Sequence, residues 1–184
     1  MNRTRLPRRA LPVLVLGSLL AFSRVSAGEG VSFGPDDTQS VLFIAKSQNK
    51  NQVHYGVHLD SHCNPVGSAP VFGYWRMLEQ RGQVEPILEM EEPAYGVADG
   101  QTVLKNPGGT TIRVRLRAFP ERPLAIVIKS SGGRCEAIAK STISGIDAQL
   151  AWIYVKLRWP FGVEYMLVRG LDGEGRLIEE WIRN

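Results

Sequence analysis

Apolar residues recur along the chain in short runs, either alternating with polar residues or continuous, and turn-forming residues separate these runs. This is the pattern of antiparallel strands in a sandwich or barrel. It predicts nine strands, at about residues 41–47, 52–60, 70–77, 111–118, 124–130, 135–142, 149–159, 163–171 and 176–182. We therefore expect an all-β domain, a single antiparallel β-barrel or sandwich of about nine strands with one short helical insertion.

The helical insertion is predicted where the strand pattern fails, between Pro86 and Glu92. Proline is favoured at the first position of a helix, and the apolar residues of this segment do not alternate cleanly. We expect Pro93 to end the helix after one or two turns, because proline inside a helix removes a backbone hydrogen bond.

The most regular polar row lies in the predicted strand at 111–118. Three apolar residues alternate there with three arginines: Ile112, Val114 and Leu116 with Arg113, Arg115 and Arg117. Alternation with a period of two puts the arginines on one face of the strand and the apolar residues on the other. The arginine face is either a solvated surface paired with acidic neighbours or a site for phosphate or carboxylate groups.

The first 27 residues have the layout of a secretory signal peptide. Residues 1–9 are basic, Ala10 to Phe22 is an apolar run, and Val25-Ser26-Ala27 is a small-residue cleavage site. We expect a signal peptide at 1–27, a flexible arm at 28–40 and one β domain at 41–184, with an uncleaved anchor as the alternative. The mature chain should begin at Gly28, contain no transmembrane segment and lie in the periplasm or outside the cell.

The positive net charge of the chain comes from this first segment. The formal net charge is +4, but residues 1–27 hold five arginines and no acidic residue, so the remainder carries 17 basic and 18 acidic residues. A nucleic-acid-binding domain usually has a net basic surface. Nucleic acid is therefore not among the expected partners.

The two cysteines, Cys63 and Cys135, both lie in the predicted mature part. An even number of cysteines in an exported chain predicts a disulfide. The alternative is a nucleophilic Cys63 beside His62, but adjacent residues of an extended chain point apart. We expect a structural bridge and no catalytic cysteine.

Three histidines are spaced by four residues, at His54, His58 and His62. On a helix this spacing could chelate a metal ion, but the alternating pattern around them predicts a strand, on which four residues rise about 13 Å. Zinc ligands lie about 2 Å from the ion. We therefore predict no metal site and no cofactor.

Four segments together are similar to an uncharacterised bacterial family, domain of unknown function 4833. They are Phe43 to Tyr55, Pro70 to Trp75 with its Tyr74-Trp75 pair, Ala94-Tyr95-Gly96, and the pair Tyr154 to Lys156 and Glu164-Tyr165. The resemblance covers about residues 41–182. It implies a single domain and brings no activity with it, and the two cysteines are not part of the family's core pattern.

These observations favour an exported, non-catalytic β domain, a binding or interaction module of the cell envelope. Its partner would be a small anionic or amphipathic ligand or an envelope protein. If the sheet closes into a barrel, five aromatic and cationic residues are candidates to line its pocket: Tyr74, Arg76, Tyr95, Tyr154 and Arg158. Arg115 of the arginine row is a sixth ligand-binding candidate, if that row lines a cavity. The alternatives are an enzyme whose site is assembled from separate strands, a purely structural envelope protein, and a core role for Tyr74 and Tyr154.

Overall fold

The computed structural model describes residues 31–33, 40–160 and 162–183. Within these ranges the strands are β1 (Val31–Phe33), β2 (Leu42–Lys46), β3 (Gln52–Val57), β4 (Val71–Met77), β5 (Gln83–Pro86), β6 (Thr102–Asn106), β7 (Gly109–Leu116), β8 (Phe119–Ser131), β9 (Arg134–Ile143), β10 (Ile146–Leu157), β11 (Val163–Leu171) and β12 (Leu177–Arg183). A 3-10 helix at Leu78–Gln80 and the one-turn helix α1 (Glu92–Tyr95) lie between strands. None of the helices in these ranges is long and apolar enough to cross a membrane.

All twelve strands belong to one hydrogen-bonded sheet, whose main path runs β5-β4-β3-β2-β10-β9-β8-β7-β6. Strand β10 joins two arms of this sheet, a first arm of β2 to β5 and a second arm of β6 to β9. Residues 152–155 of β10 pair with β2, and this pairing is parallel, unlike the predicted antiparallel arrangement; residues 146–149 pair antiparallel with β9. The β11–β12 hairpin lies along the other edge of β10. The apolar faces of both arms form a single core.

The sheet does not close on itself, so of the two predicted architectures the structure has the open sandwich and not the barrel. All nine predicted strands are present, most within a few residues of their predicted bounds. The strand pattern missed β5 and β6, whose short sequences alternate weakly. It also missed β1, which lies inside the segment predicted as an arm and pairs with β9.

The helical prediction is wrong in position. Pro86 is the last residue of β5 and pairs with Tyr74 of β4, so tertiary pairing decides the conformation of this segment. The helix comes later, at Glu92–Tyr95, and Pro93 lies in its first turn. Proline is tolerated there because the first turn leaves its backbone N–H groups without partners in the helix.

The arginine row lies as predicted on one face of the sheet. Ile112, Val114 and Leu116 are buried in the core, whereas Arg113, Arg115 and Arg117 are exposed. Arg117 follows the end of β7 and forms an ion pair with Asp99 at 3.4 Å. This agrees with the solvated-face interpretation.

The predicted disulfide between Cys63 and Cys135 is confirmed, with Cα atoms 5.3 Å apart. Cys63 lies in the β3–β4 connection and Cys135 in β9, so the bridge links the two arms. Asp60 shapes the turn before the bridge, because its Oδ1 accepts hydrogen bonds from the backbone N–H groups of His62 and Asn64. These bonds lower the pKa of the Asp60 carboxyl.

Candidate functional site

In the first arm, the ammonium of a lysine at the end of β2 lies over an aromatic ring. Lys46 is the last residue of β2, and its Nζ lies 4.2 Å from the centroid of the Trp75 ring and 5.2 Å from that of Tyr95. The two rings meet edge to face, with centroids 5.1 Å apart. A cation within about 6 Å of a ring centroid is attracted by the negative ring face. Lys46, Trp75 and Tyr95 therefore form one cation–aromatic cluster.

Glu91 completes this cluster and fixes the indole. Its Oε2 accepts hydrogen bonds from Trp75 Nε1 at 2.8 Å and from the backbone N–H of Leu88 at 3.0 Å. Burial lowers the pKa of the Lys46 ammonium, and the negative charge of Glu91 partly offsets this effect. The lysine is thus half-buried on an aromatic ring with a carboxylate nearby.

The β2–β3 turn holds Lys46 in position. The Ser47 backbone N–H donates to Val155 O, and Ser47 Oγ accepts from the Leu157 backbone N–H, both at 3.0 Å. Within the turn, Asn49 Oδ1 accepts from Asn51 N, and Asn51 Oδ1 accepts from Glu79 N. Because both amide oxygens are used in these bonds, the two asparagines offer their NH₂ groups as donors.

Strand β5 and the segment after it form the opposite wall. Glu85 lies directly opposite Trp75, and Gln83 lies opposite Met77. Together with Lys46 and the turn these residues surround a pocket of about 370 Å³, lined by Lys46, Asn49, Asn51, Trp75, Met77, Gln83, Glu85, Pro86, Leu88 and Glu91. This volume lies within the range of small-molecule sites. The charged lining comprises one cation and two carboxylates.

Tyr95 and the segment before it close one side of the cluster. The buried Tyr55 hydroxyl donates to the Tyr95 carbonyl oxygen at 2.9 Å, which fixes α1 against β3. Burial raises the pKa of Tyr55, so its hydroxyl stays a donor. A side chain at Gly73 would overlap Ile87, since an added Cβ would lie 2.5 Å from Ile87 Cδ1. Ile87 would therefore have to move its Cδ1 if a side chain replaced the hydrogen of Gly73.

The outer face of the same arm carries a row of rings that we call the aromatic ladder: Tyr74, His54, Phe43 and Trp152. These residues lie opposite one another on neighbouring strands. Their planes are inclined by 28°, 18° and 3° in turn, with centroids 5.2–6.1 Å apart. The rings therefore stack on one another, and their faces are used within the protein. We interpret the ladder as structural packing.

The structure separates the six residues predicted to line a cavity. Tyr74, Arg76 and Tyr154 lie on the outer face of the first arm, and the register places Arg76 and Tyr154 three strands apart, or about 14 Å. Only Tyr95 belongs to the cluster around Trp75.

The other two lie elsewhere. Arg115 is exposed on the outer face of the second arm, and Arg158 follows the end of β10. The six therefore do not form one pocket. Strand alternation groups residues by face, but it does not show which face points to the core. Whether any of them binds a ligand stays a prediction.

The three histidines also have separate surroundings. His54 is buried in the ladder, exposed His58 stacks on Phe72 at 4.0 Å, and His62 lies in the turn before the disulfide. Among the residues that the structure describes, no three His, Cys, Asp or Glu side chains are grouped so that they could hold a metal ion.

The fold and the pocket together define a β-sandwich domain with a small-molecule-sized site at one open end. A family model described as a domain of unknown function, DUF4833, matches residues 42–180, and the chain belongs to this family. Comparison with curated proteins and with solved structures found no match.

The segments that carry the family resemblance meet at the pocket and at the cation–aromatic cluster beside it. Phe43 to Tyr55 supplies Lys46 and the turn, Pro70 to Trp75 supplies the indole, and the third segment supplies Tyr95. The fourth segment supports the turn through Val155. The joint occurrence of these segments is therefore a sequence signal for this site. It does not by itself single out Lys46 or Glu91.

Proposed function

We propose that this protein is a non-catalytic binding module, exported to the periplasm or beyond, that holds a small amphipathic ligand in the pocket over Trp75. The observation that carries this proposal is the cluster of Lys46, Trp75 and Glu91 inside a cavity of about 370 Å³. Ligand sites combine apolar walls with a few convergent polar groups. Trp75, Met77 and Leu88 would supply the apolar contacts.

The charges favour an amphipathic ligand over an anionic one. Glu85 and Glu91 would repel a second negative group, and only Lys46 would attract it. The asparagine amides of the turn and the carboxylates of Glu85 and Glu91 suit a ligand with an acceptor at one end and a donor at the other.

A binding role also suits the bonding of Glu91. Its Oε2 already accepts two hydrogen bonds, from Trp75 Nε1 and Leu88 N. Because two donors already occupy this oxygen, it is engaged in positioning the indole and the Leu88 backbone. We therefore assign Glu91 to holding the indole in place.

A screen of small amphipathic compounds by thermal shift and calorimetry tests this function. We expect compounds that raise the melting temperature of the wild-type protein and bind at least tenfold more weakly to Lys46→Met. Lys50→Met is the matched control, because it removes an exposed lysine from the same turn. Equal binding to all three proteins, or no binding compound, would contradict the proposal.

The enzyme alternative has one observation in its favour, the lowered pKa of Lys46. A lysine with a lowered pKa can act as a nucleophilic amine. Its amine would condense with an aldehyde to an imine and water, and borohydride would reduce the imine to a stable adduct. Selective labelling of Lys46 over Lys50, measured by peptide mass, would favour the enzyme; uniform labelling would favour the binding module.

Export is tested on the protein produced by its native host. Intact mass should correspond to a chain beginning at Gly28, because Val25-Ser26-Ala27 follows the apolar run. A membrane-associated protein that retains Met1 would contradict this expectation.

A further inference from the structure

We propose that the pocket selects small zwitterions whose cationic end is a methylated ammonium group, and that Lys46 occupies the cation position until such a ligand binds. The inference rests on the proposed function, since it names the ligand class of the same pocket. Its basis is the aromatic cage formed by Trp75, Tyr95 and Glu91, which already holds a cation of this chain.

The walls of the cage are fixed before any ligand enters. Trp75 is only 7% exposed, and its Nε1 is bound to Glu91. The Tyr55 hydroxyl holds the backbone of Tyr95 at its carbonyl oxygen. The two rings are inclined by 71°, so that one presents its edge to the other. Aromatic cages of this kind are used to recognise quaternary ammonium groups.

Among the groups that form this cluster, the Lys46 ammonium is the one that can move away. Lys46 reaches the rings through a flexible four-carbon stem, and its ammonium is a compact point charge with three rotatable donors. A ligand cation that enters the cage would displace the Lys46 ammonium from the face of Trp75. The displaced charge then needs a partner, which an anionic group on the same ligand would provide.

The charge balance selects against ligands with only one kind of charge. A simple cation would put two cations in the pocket, where Glu91 already accepts from Trp75 and Leu88 and Glu85 is the other carboxylate. A simple anion would leave Lys46 on the ring and would face Glu85 and Glu91. A zwitterion satisfies both ends, because its cation replaces Lys46 in the cage and its anion pairs with the displaced ammonium.

Methylation of the ligand cation follows from the chemistry of the cage. A primary ammonium group has N–H donors that bind water and carboxylates strongly, whereas a fully methylated, quaternary one has none and is attracted chiefly to ring faces. It could therefore compete with the primary ammonium of Lys46 for the indole.

The test titrates glycine betaine and tetramethylammonium chloride into the wild-type protein, Lys46→Met and Lys50→Met, with calorimetry as the readout. We expect the wild type and Lys50→Met to bind betaine at least tenfold more tightly than tetramethylammonium. In Lys46→Met the competing cation and the partner for the ligand's anionic group are both lost, while an uncharged side chain of similar length remains. Tetramethylammonium should therefore bind at least tenfold more tightly than to the wild type, and the preference for betaine should disappear.

A further variant, Trp75→Phe, keeps an aromatic ring in the core while it weakens cation binding and removes the bond to Glu91. It should weaken betaine binding, and circular dichroism checks that it is folded. The inference is overturned if betaine and tetramethylammonium bind equally to the wild type, or if neither probe binds the wild type or Lys46→Met. The proposed function survives either result if the amphipathic screen still yields ligands that depend on Lys46, and both fail if it yields none.

Discussion

His54 makes the stability of the domain depend on pH in a way that one substitution can isolate. It lies in the aromatic ladder, 5% exposed, and its Nε2 is 2.9 Å from Gln52 Oε1. Because the amide oxygen only accepts, Nε2 carries the proton, and the buried Nδ1 has no hydrogen-bond partner. Burial, with a smaller contribution from the positive charge of Arg76, lowers the pKa of His54 from 6.5 to about 4.

The direction of the effect follows from proton binding in the two states. Below pH 6.5 the unfolded chain protonates this histidine, whereas the folded protein does so only near pH 4. The contribution of neutral His54 to the free energy of unfolding is therefore fully present above pH 6.5 and is lost as the pH falls toward 4. Since one pKa unit corresponds to about 1.4 kcal/mol, the free energy of unfolding should fall by about 2 kcal/mol between pH 7.5 and 5.

His54→Phe should remove this dependence, because phenylalanine does not titrate and can stack in the same place between Phe43 and Tyr74. We expect the stability of the variant relative to the wild type to rise by about 2 kcal/mol between pH 7.5 and 5. Urea denaturation at several pH values, followed by tryptophan fluorescence, measures the difference. His58→Phe is the control, since it leaves His54 in place. Parallel pH curves for the wild type and His54→Phe would refute the reasoning.

The remaining predictions concern the bridge, an ion pair and the arginine row. Replacing both Cys63 and Cys135 by Ser should lower the free energy of unfolding by about 4 kcal/mol, the loop-closure value for the 72-residue separation, and reductant should not destabilise the variant further. Glu180→Gln should cost about 1–2 kcal/mol by urea denaturation at pH 7, because Glu180 binds both terminal nitrogens of Arg122 while each side chain is 22% exposed. The cost should shrink as the pH falls below 4.5, the ordinary pKa of this carboxyl, because the pKa in the folded protein is lower and the contribution of Glu180 is lost as the carboxylate protonates; an unchanged cost at low pH would contradict this. Arg115→Ala should change stability by no more than about 0.5 kcal/mol, as expected for an exposed side chain, and a larger loss would mean that Arg115 has a structural partner.

The sequence predicted the parts of the fold that local chemistry determines. Alternation in β7 separated Ile112 from Arg113 correctly, because a strand with one buried face must alternate. An even number of cysteines sufficed for the disulfide. By contrast, nothing local to Gln83–Pro86 predicts a strand, since its pairing with β4 is a tertiary interaction. Which of two strand faces points to the core also depends on the whole sheet, and this is why Tyr74 and Tyr154 were grouped with Tyr95.

The candidate site could not be found from any one segment because its chemistry is divided among distant parts of the chain. Lys46 taken alone is a lysine at the end of a strand, and Glu91 is one acid among several in its neighbourhood. Trp75 brings these two residues together, because its ring face contacts the Lys46 ammonium and its Nε1–H donates to the Glu91 carboxylate. A half-buried lysine needs such compensation, because burial disfavours the charged form. The Trp75 ring and the Glu91 carboxylate together provide it.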